Sequence, residues 1–269
     1  MSQAFHFITL ALYGGATATY LAYLARTTPA MASWAHKLIT LGFISHILAI
    51  VHYTSCSGHL PITGMQELLS FMSLAIAGAF ILFERRFKVA ILGAFILPLV
   101  MLMLVASSLF PHFSGQPQAA PVAGMAWFHV LLALLSYAMF SIACGTGVMY
   151  LIQQHFLKHK HFGSMFHKLP SLETVDRISF QCLTIGFPLL TLAIIAGAVR
   201  SELVIGRFLV WSDPRQMWTL GSWLLYAVLF YGRIAVGWRG RKAALLSITG
   251  FILLCFTLVG SSHNVNWYP

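Results

Sequence analysis

Ala90-Ile91-Leu92-Gly93-Ala94-Phe95-Ile96-Leu97-Pro98-Leu99-Val100-Met101-Leu102-Met103-Leu104-Val105-Ala106-Ser107-Ser108-Leu109-Phe110 contains no charged residue. A bilayer core is crossed by about 20 consecutive apolar residues in helical form, and this stretch supplies them. Its apolar character is continuous, whereas a strand of a membrane barrel alternates lipid-facing with lumen-facing residues. Only a helix satisfies the backbone of such a run from within the run itself. Leu183 to Val199 reads the same way.

Similar runs recur outward in both directions, at about 4–25, 38–56, 66–83, 88–110, 124–152, 178–200, 217–236 and 243–260. The chain is 59% hydrophobic and 8% charged, with a mean hydropathy of +0.82, which excludes a soluble domain with an ordinary polar surface. The expected fold is all-α: a polytopic membrane bundle of eight transmembrane helices. No linker, low-complexity tract, charge block or internal repeat divides it, so residues 1–269 read as a single transmembrane domain. No Lys or Arg precedes the first run, so the basic n-region of a cleaved signal peptide is missing and the first span is expected to remain as an anchor.

Short loops rich in Lys and Arg stay in the cytoplasm. Arg26 and Lys37 lie between spans one and two, and Arg85, Arg86 and Lys88 between three and four. Lys158, Lys160, Lys168 and Arg177 join five to six, while Arg233, Arg239, Arg241 and Lys242 join seven to eight. Ser57 to Met65 and Pro111 to Gly124 hold neither Lys nor Arg. Both termini are therefore expected outside. Basic inner loops beside anionic lipid account for the net charge of +10 without any nucleic-acid partner.

On the outer side this topology places Trp211-Ser212-Asp213-Pro214-Arg215-Gln216-Met217-Trp218. As a structural element, the run starts span seven: Asp213 suits an N-cap, Pro214 the first helical position, and Gln216 completes a capping-box spacing. Trp211 and Trp218 suit the interfacial belt, as do Trp34, Trp127, Trp238 and Trp267 at other span ends. His129, at the start of span five, and His263, just after span eight, fall at the same outer depth. Two histidines beside an aromatic shelf suggest a haem site, because neutral imidazole suits iron and aromatic faces bury a macrocycle.

Ile185-Gly186-Phe187-Pro188-Leu189-Leu190-Thr191 with Gly197-Ala198-Val199, then Trp211-Ser212-Asp213-Pro214 and Trp218, resembles the tryptophan-rich, WWD-type signature of the CcsA/CcmC haem-handling family of cytochrome c assembly proteins. Gly237-Trp238-Arg239-Gly240-Arg241-Lys242 is similar to the inner-face segment that follows it there. Ser57-Gly58-His59-Leu60-Pro61 with Glu67-Leu68-Leu69-Ser70-Phe71, and His129-Val130 with Ser136-Tyr137-Ala138, are similar to further segments of that family. The resemblance implies haem b held non-covalently at the outer face, with His129 and His263 as axial ligands over a shelf of Trp211, Asp213 and Trp218. His59 is a reserve ligand and His112 a weaker one. Arg215, with Arg200 and Arg207, is a candidate partner for haem propionates. Implied partners are haem, other cytochrome c assembly proteins, apocytochrome c and the lipid bilayer, in a bacterial cytoplasmic (inner) membrane.

The family's usual Trp-Asp-Pro-Lys-Glu is replaced here by Ser212-Asp213-Pro214-Arg215-Gln216. The histidine that haem-carrying members place in the span after the signature is missing from Leu229-Phe230-Tyr231-Gly232-Arg233. This shortened form resembles the YpjD and HemX kind, which implies a haem-binding component of a haem-attachment system rather than a self-sufficient enzyme. A haem-responsive regulator of tetrapyrrole synthesis is the alternative. A small-solute transporter is a third class, weakened because every Asp and Glu falls in a loop or near a span end. His46 and His52 in span two are six residues apart and hence on different faces, equally open to a core and a ligand role. Cys56, Cys144, Cys182 and Cys255 form no Cys-x-x-Cys pair, which excludes a thiol-exchange or covalent haem-attachment motif. His155, His159, His161 and His167, interspersed with lysines, read as a solvated inner loop.

Overall fold

The computed structural model describes residues 3–26, 28–57, 64–110, 120–158 and 169–259. Among them every regular element is helical, as the continuous apolar runs require. These are α1 Gln3–Arg26, α2 Pro29–Ser57, α3 Met65–Phe87, a 3-10 turn at Ala90–Leu92 leading into α4 Gly93–Leu109, α5 Ala120–Lys158, α6 Leu172–Ile205, α7 Pro214–Ile234 and α8 Arg241–Val259. His59, His112 and His263 lie outside the described residues.

All of these except α7 are long and apolar enough to cross a membrane, so the chain is a multi-pass membrane protein. Helix α7 has the length, but Arg215, Gln216, Thr219, Ser222 and Arg233 dilute its apolar character. Helix boundaries also reach beyond the apolar cores read from the sequence. Helix α2 begins at Pro29 rather than near residue 38, because Pro29 sits at the first helical position and the Thr28 carbonyl accepts from Met31 and Ala32. Ser171 starts α6 by accepting from the Thr174 backbone N–H at 3.2 Å.

Two compact units make up the chain. The first comprises residues 1–114 and 148–175, with α1 packed on α2 and α4, and α3 on α4. Close approach of α1 to α2 depends on Gly42: a Cβ there would come within 2.5 Å of the Tyr13 ring. The lipid-facing exterior remains apolar, as at Leu48, Val51, Leu82 and Leu102. The interior carries more polar groups than the span sequences suggest. Glu84 accepts from the Tyr20 hydroxyl and from His36 Nδ1, both at 2.7 Å, and Arg85 Nε donates to His36 Nε2 at 3.3 Å.

The second unit comprises residues 115–147 and 176–269. Phe140 of α5 stacks on Tyr226 of α7 with centroids 3.7 Å apart, and both are fully buried. Tyr137 donates to the Leu254 carbonyl at 2.8 Å and also meets the Thr257 hydroxyl, tying α5 to α8. Arg233, buried near the end of α7, grips Asp176 of α6 through both guanidinium nitrogens at 2.7 and 3.1 Å and lies 4.9 Å from the Phe180 ring centroid. Asp176 also accepts from the Gly240 N–H at 3.4 Å, so one carboxylate joins α6, α7 and the entry to α8.

A buried ion pair loses more when one partner is removed than when both are. Arg233→Leu is expected to destabilise the protein by about 3 kcal/mol, with Asp176→Asn in the same chain recovering part of that loss. Thermal unfolding of the detergent-purified proteins measures both, and a double variant no more stable than Arg233→Leu would contradict the account.

Candidate functional site

His129 is set by α6. Its Nδ1 lies 2.7 Å from the Ala193 carbonyl oxygen. A carbonyl only accepts, so Nδ1 carries the proton and the neutral ring presents its lone pair at Nε2. Metal-bound histidines are commonly oriented by such a contact, which fixes both the tautomer and the ring plane. The ring fits because residue 197 is glycine: a Cβ there would approach His129 Cε1 to 2.9 Å and Nδ1 to 3.0 Å. Ala193 and Gly197 stand one turn apart on α6, one supplying the acceptor and the other the space. Arg200 and Arg215 belong to the same compact unit as His129.

The α6–α7 connection is built by local hydrogen bonds. Gly206 takes a left-handed backbone with φ +70° just after α6 ends, and the Ser201 hydroxyl donates to the Arg207 carbonyl at 2.7 Å. Asp213 N–H donates to the Val210 carbonyl at 2.9 Å. Asp213 is the N-cap of α7, its Oδ1 accepting from the Arg215 N–H at 2.9 Å, with Pro214 next in line. Gln216 departs from the expected capping box: its Oε1 accepts from the Val210 N–H at 2.8 Å, since the Asp213 N–H is already committed to Val210. Gln216 thus braces the connection rather than the cap.

Trp211 stands at the tip of this connection, 74% exposed. Trp218, one helical turn into α7 and 43% exposed, stacks on Phe256 of α8 at 5.3 Å. Trp223 donates to the Thr191 hydroxyl at 2.9 Å and stacks on Phe187, which anchors α7 to α6 beneath the connection. The structure therefore gathers His129, Asp213, Arg215 and Trp218, with Arg200, in one unit. Ala193 and Phe256 are parts of the arrangement that the sequence reading missed, and Gln216, expected in a capping box, accepts from Val210 instead. Gly197 stood in a quoted segment, but its use is a contact between two helices and leaves no local signal.

The family model described as Cytochrome C assembly protein matches residues 62–265. The chain belongs to that family. Among related family members, the cytochrome c biogenesis protein CcsA of Prochlorococcus marinus (strain MIT 9301) is 30% identical over 266 residues, covering 88% of this chain and 86% of the relative. CcsA of Guillardia theta is 28% identical over 260 residues, covering 84% and 86%. CcsA of Chlamydomonas reinhardtii is 29% identical over 212 residues, covering 76% of this chain and 58% of that protein. The segment matched by the family takes in His129, His263 and the whole Trp211 run, while His59 precedes it.

As the N-cap of α7, Asp213 is expected to contribute about 1 kcal/mol. Asp213→Ala should lower the melting temperature of the purified protein, with Asp213→Ser retaining most of the parent value; equal losses in the two variants would show that the side-chain cap is not what matters.

Proposed function

We propose that this protein serves cytochrome c assembly by holding haem b non-covalently at the extracytoplasmic face of a bacterial cytoplasmic membrane. His129 and His263 are the axial ligands. Trp211 and Trp218 line the macrocycle, and Asp213 holds the start of α7 in register. Arg215, with Arg200, faces the propionates, where a guanidinium fork matches a carboxylate. The observation that carries this reading is the His129 Nδ1 contact with the Ala193 carbonyl, which leaves Nε2 as the metal-binding nitrogen. Family membership supports the cytochrome c context, and the exposed indoles support a site open at one edge.

When bound, haem supplies the iron and the vinyl groups that a cytochrome uses. The residues of this chain bind and orient. Ala193 and Gly197 hold the imidazole plane, and Gln216 and Asp213 keep the Trp211 connection in place beside it. The chain carries no Cys-x-x-Cys of its own, so the cysteines that receive the vinyl groups belong to a separate apocytochrome. The basic connections lie inside and both termini outside.

Hemin titration of the detergent-purified protein, followed by absorption spectroscopy, is the test. The parent should give low-spin bands with both ligands in place, and His129→Ala and His263→Ala should each weaken binding and shift the bands. Unchanged bands in both variants reject these ligands. Gly197→Val, which forces the ring off the Ala193 carbonyl without touching the iron, should weaken binding by about 10- to 100-fold; binding equal to the parent would show that this orienting contact has no role.

A further inference from the structure

Independent of haem, the turn between α7 and α8 is fixed at several points along its short length. Helix α7 ends at Ile234 and α8 begins at Arg241. Gly237 and Gly240 take left-handed backbone, with φ +74° and +72°, a region that glycine enters without steric cost. The Trp238 N–H donates to the Gly232 carbonyl at 2.8 Å. Its ring lies so close over that glycine that a Cβ there would come within 2.3 Å of it. The Gly240 carbonyl accepts from the Ala244 N–H at 3.0 Å, opening α8, while the Gly240 N–H is held by Asp176.

What this turn presents is positive charge. Arg239, Arg241 and Lys242 are exposed, and among the described residues none of them forms an ion pair. Asp176, which holds the Gly240 N–H, is already taken by Arg233. Asp213 caps the opposite end of α7, 21 residues and about 30 Å away. Lys242 Nζ lies 5.8 Å from the Trp238 ring centroid, which orders the ammonium without neutralising it. Arg241 and Lys242 also stand in the first turn of α8, where no acidic residue balances them and where the helix dipole disfavours cations. Three like charges gathered on a braced turn repel one another, and an anion between them relieves that cost.

The surroundings decide which anion. Helix α8 is long and apolar enough to cross a membrane from Arg241 onward, so the cations stand where a span meets the lipid headgroups. Ile234, Val236 and Leu245 flank them at 61%, 60% and 44% exposure, an apolar surface that suits acyl chains and gives a water-soluble anion nothing. Trp238 brings an indole of the kind that settles at the membrane interface. Cations beside apolar surface fit an amphiphile. We propose that the α7–α8 turn is a binding site for one anionic phospholipid, its phosphate held by Arg239, Arg241 and Lys242 and its chains lying against Ile234, Val236 and Leu245. The two guanidinium forks match phosphate oxygens, and the ammonium adds a point charge. Such a site holds a single lipid, unlike the diffuse attraction of basic loops to an anionic leaflet.

The full-length protein in a neutral detergent is titrated with phosphatidylglycerol and, separately, with phosphatidylcholine, and native mass spectrometry counts the lipids retained. One phosphatidylglycerol should be held at least about tenfold more tightly than phosphatidylcholine. Arg239→Gln, Arg241→Gln and Lys242→Gln together should weaken it by about 100-fold. Taking the same charge from the first unit, with Arg26→Gln, Lys37→Gln and Lys158→Gln, should leave the parent affinity. Equal losses in the two triple variants would show that overall charge, and no site, attracts the lipid, which overturns the inference. Equal affinity for the two lipids does so as well, and so does displacement of phosphatidylglycerol by excess inorganic phosphate, the mark of a free-anion site. Should the turn's triple variant fail to fold, Arg239→Gln alone should weaken binding by about fivefold, and parent affinity in that variant overturns the inference.

Discussion

Lipid offers no hydrogen bonds, and this constraint shapes both units. Backbone groups meet it by forming helices along every apolar run. Side-chain groups meet it by finding one another across helices: Glu84 with Tyr20 and His36 in the first unit, Asp176 with Arg233 and the Gly240 N–H in the second. In each case a carboxylate is surrounded by donors from more than one helix. Such a group fixes helix register better than apolar packing does, because a shift of one residue leaves the charge unmatched.

The same constraint explains the geometry around His129. In an apolar wall an imidazole has few acceptors, and a helix carbonyl is reachable only where the opposing helix lacks a side chain. Ala193 and Gly197 provide that opening on one turn of α6. The ring is thereby committed to a single tautomer, with the lone pair on Nε2. Among the described residues His129 is bonded through Nδ1 alone.

Much of the fold was legible in the sequence because a 20-residue apolar run has one solution in a bilayer. Asp213 and Pro214 announced the start of α7 through residue type alone. The start of α2 was misplaced, since Trp34, His36 and Lys37 break the apolar pattern although Thr28-Pro29 already opens the helix. His46 and His52 were read as lying on different faces, and one is indeed buried while the other is exposed. The burial of Glu67 and Glu84 was not legible: near a span end a carboxylate can face either water or a neighbouring tyrosine, and only the tertiary fold decides. Gly197 and Gln216 were hidden for the same reason, each acting on a group distant along the chain or committed elsewhere.

The braced connection between α6 and α7 has a kinetic side. Ser201 and Gln216 clasp it from the helix on either flank, so its shape is settled before any guest arrives and little conformational freedom remains to be lost on contact. On the proposed reading, capture of haem on this connection would proceed without rearrangement, and differences in residence time would then reside in the departure step. A carrier built this way would be tuned by what loosens its grip rather than by what forms it.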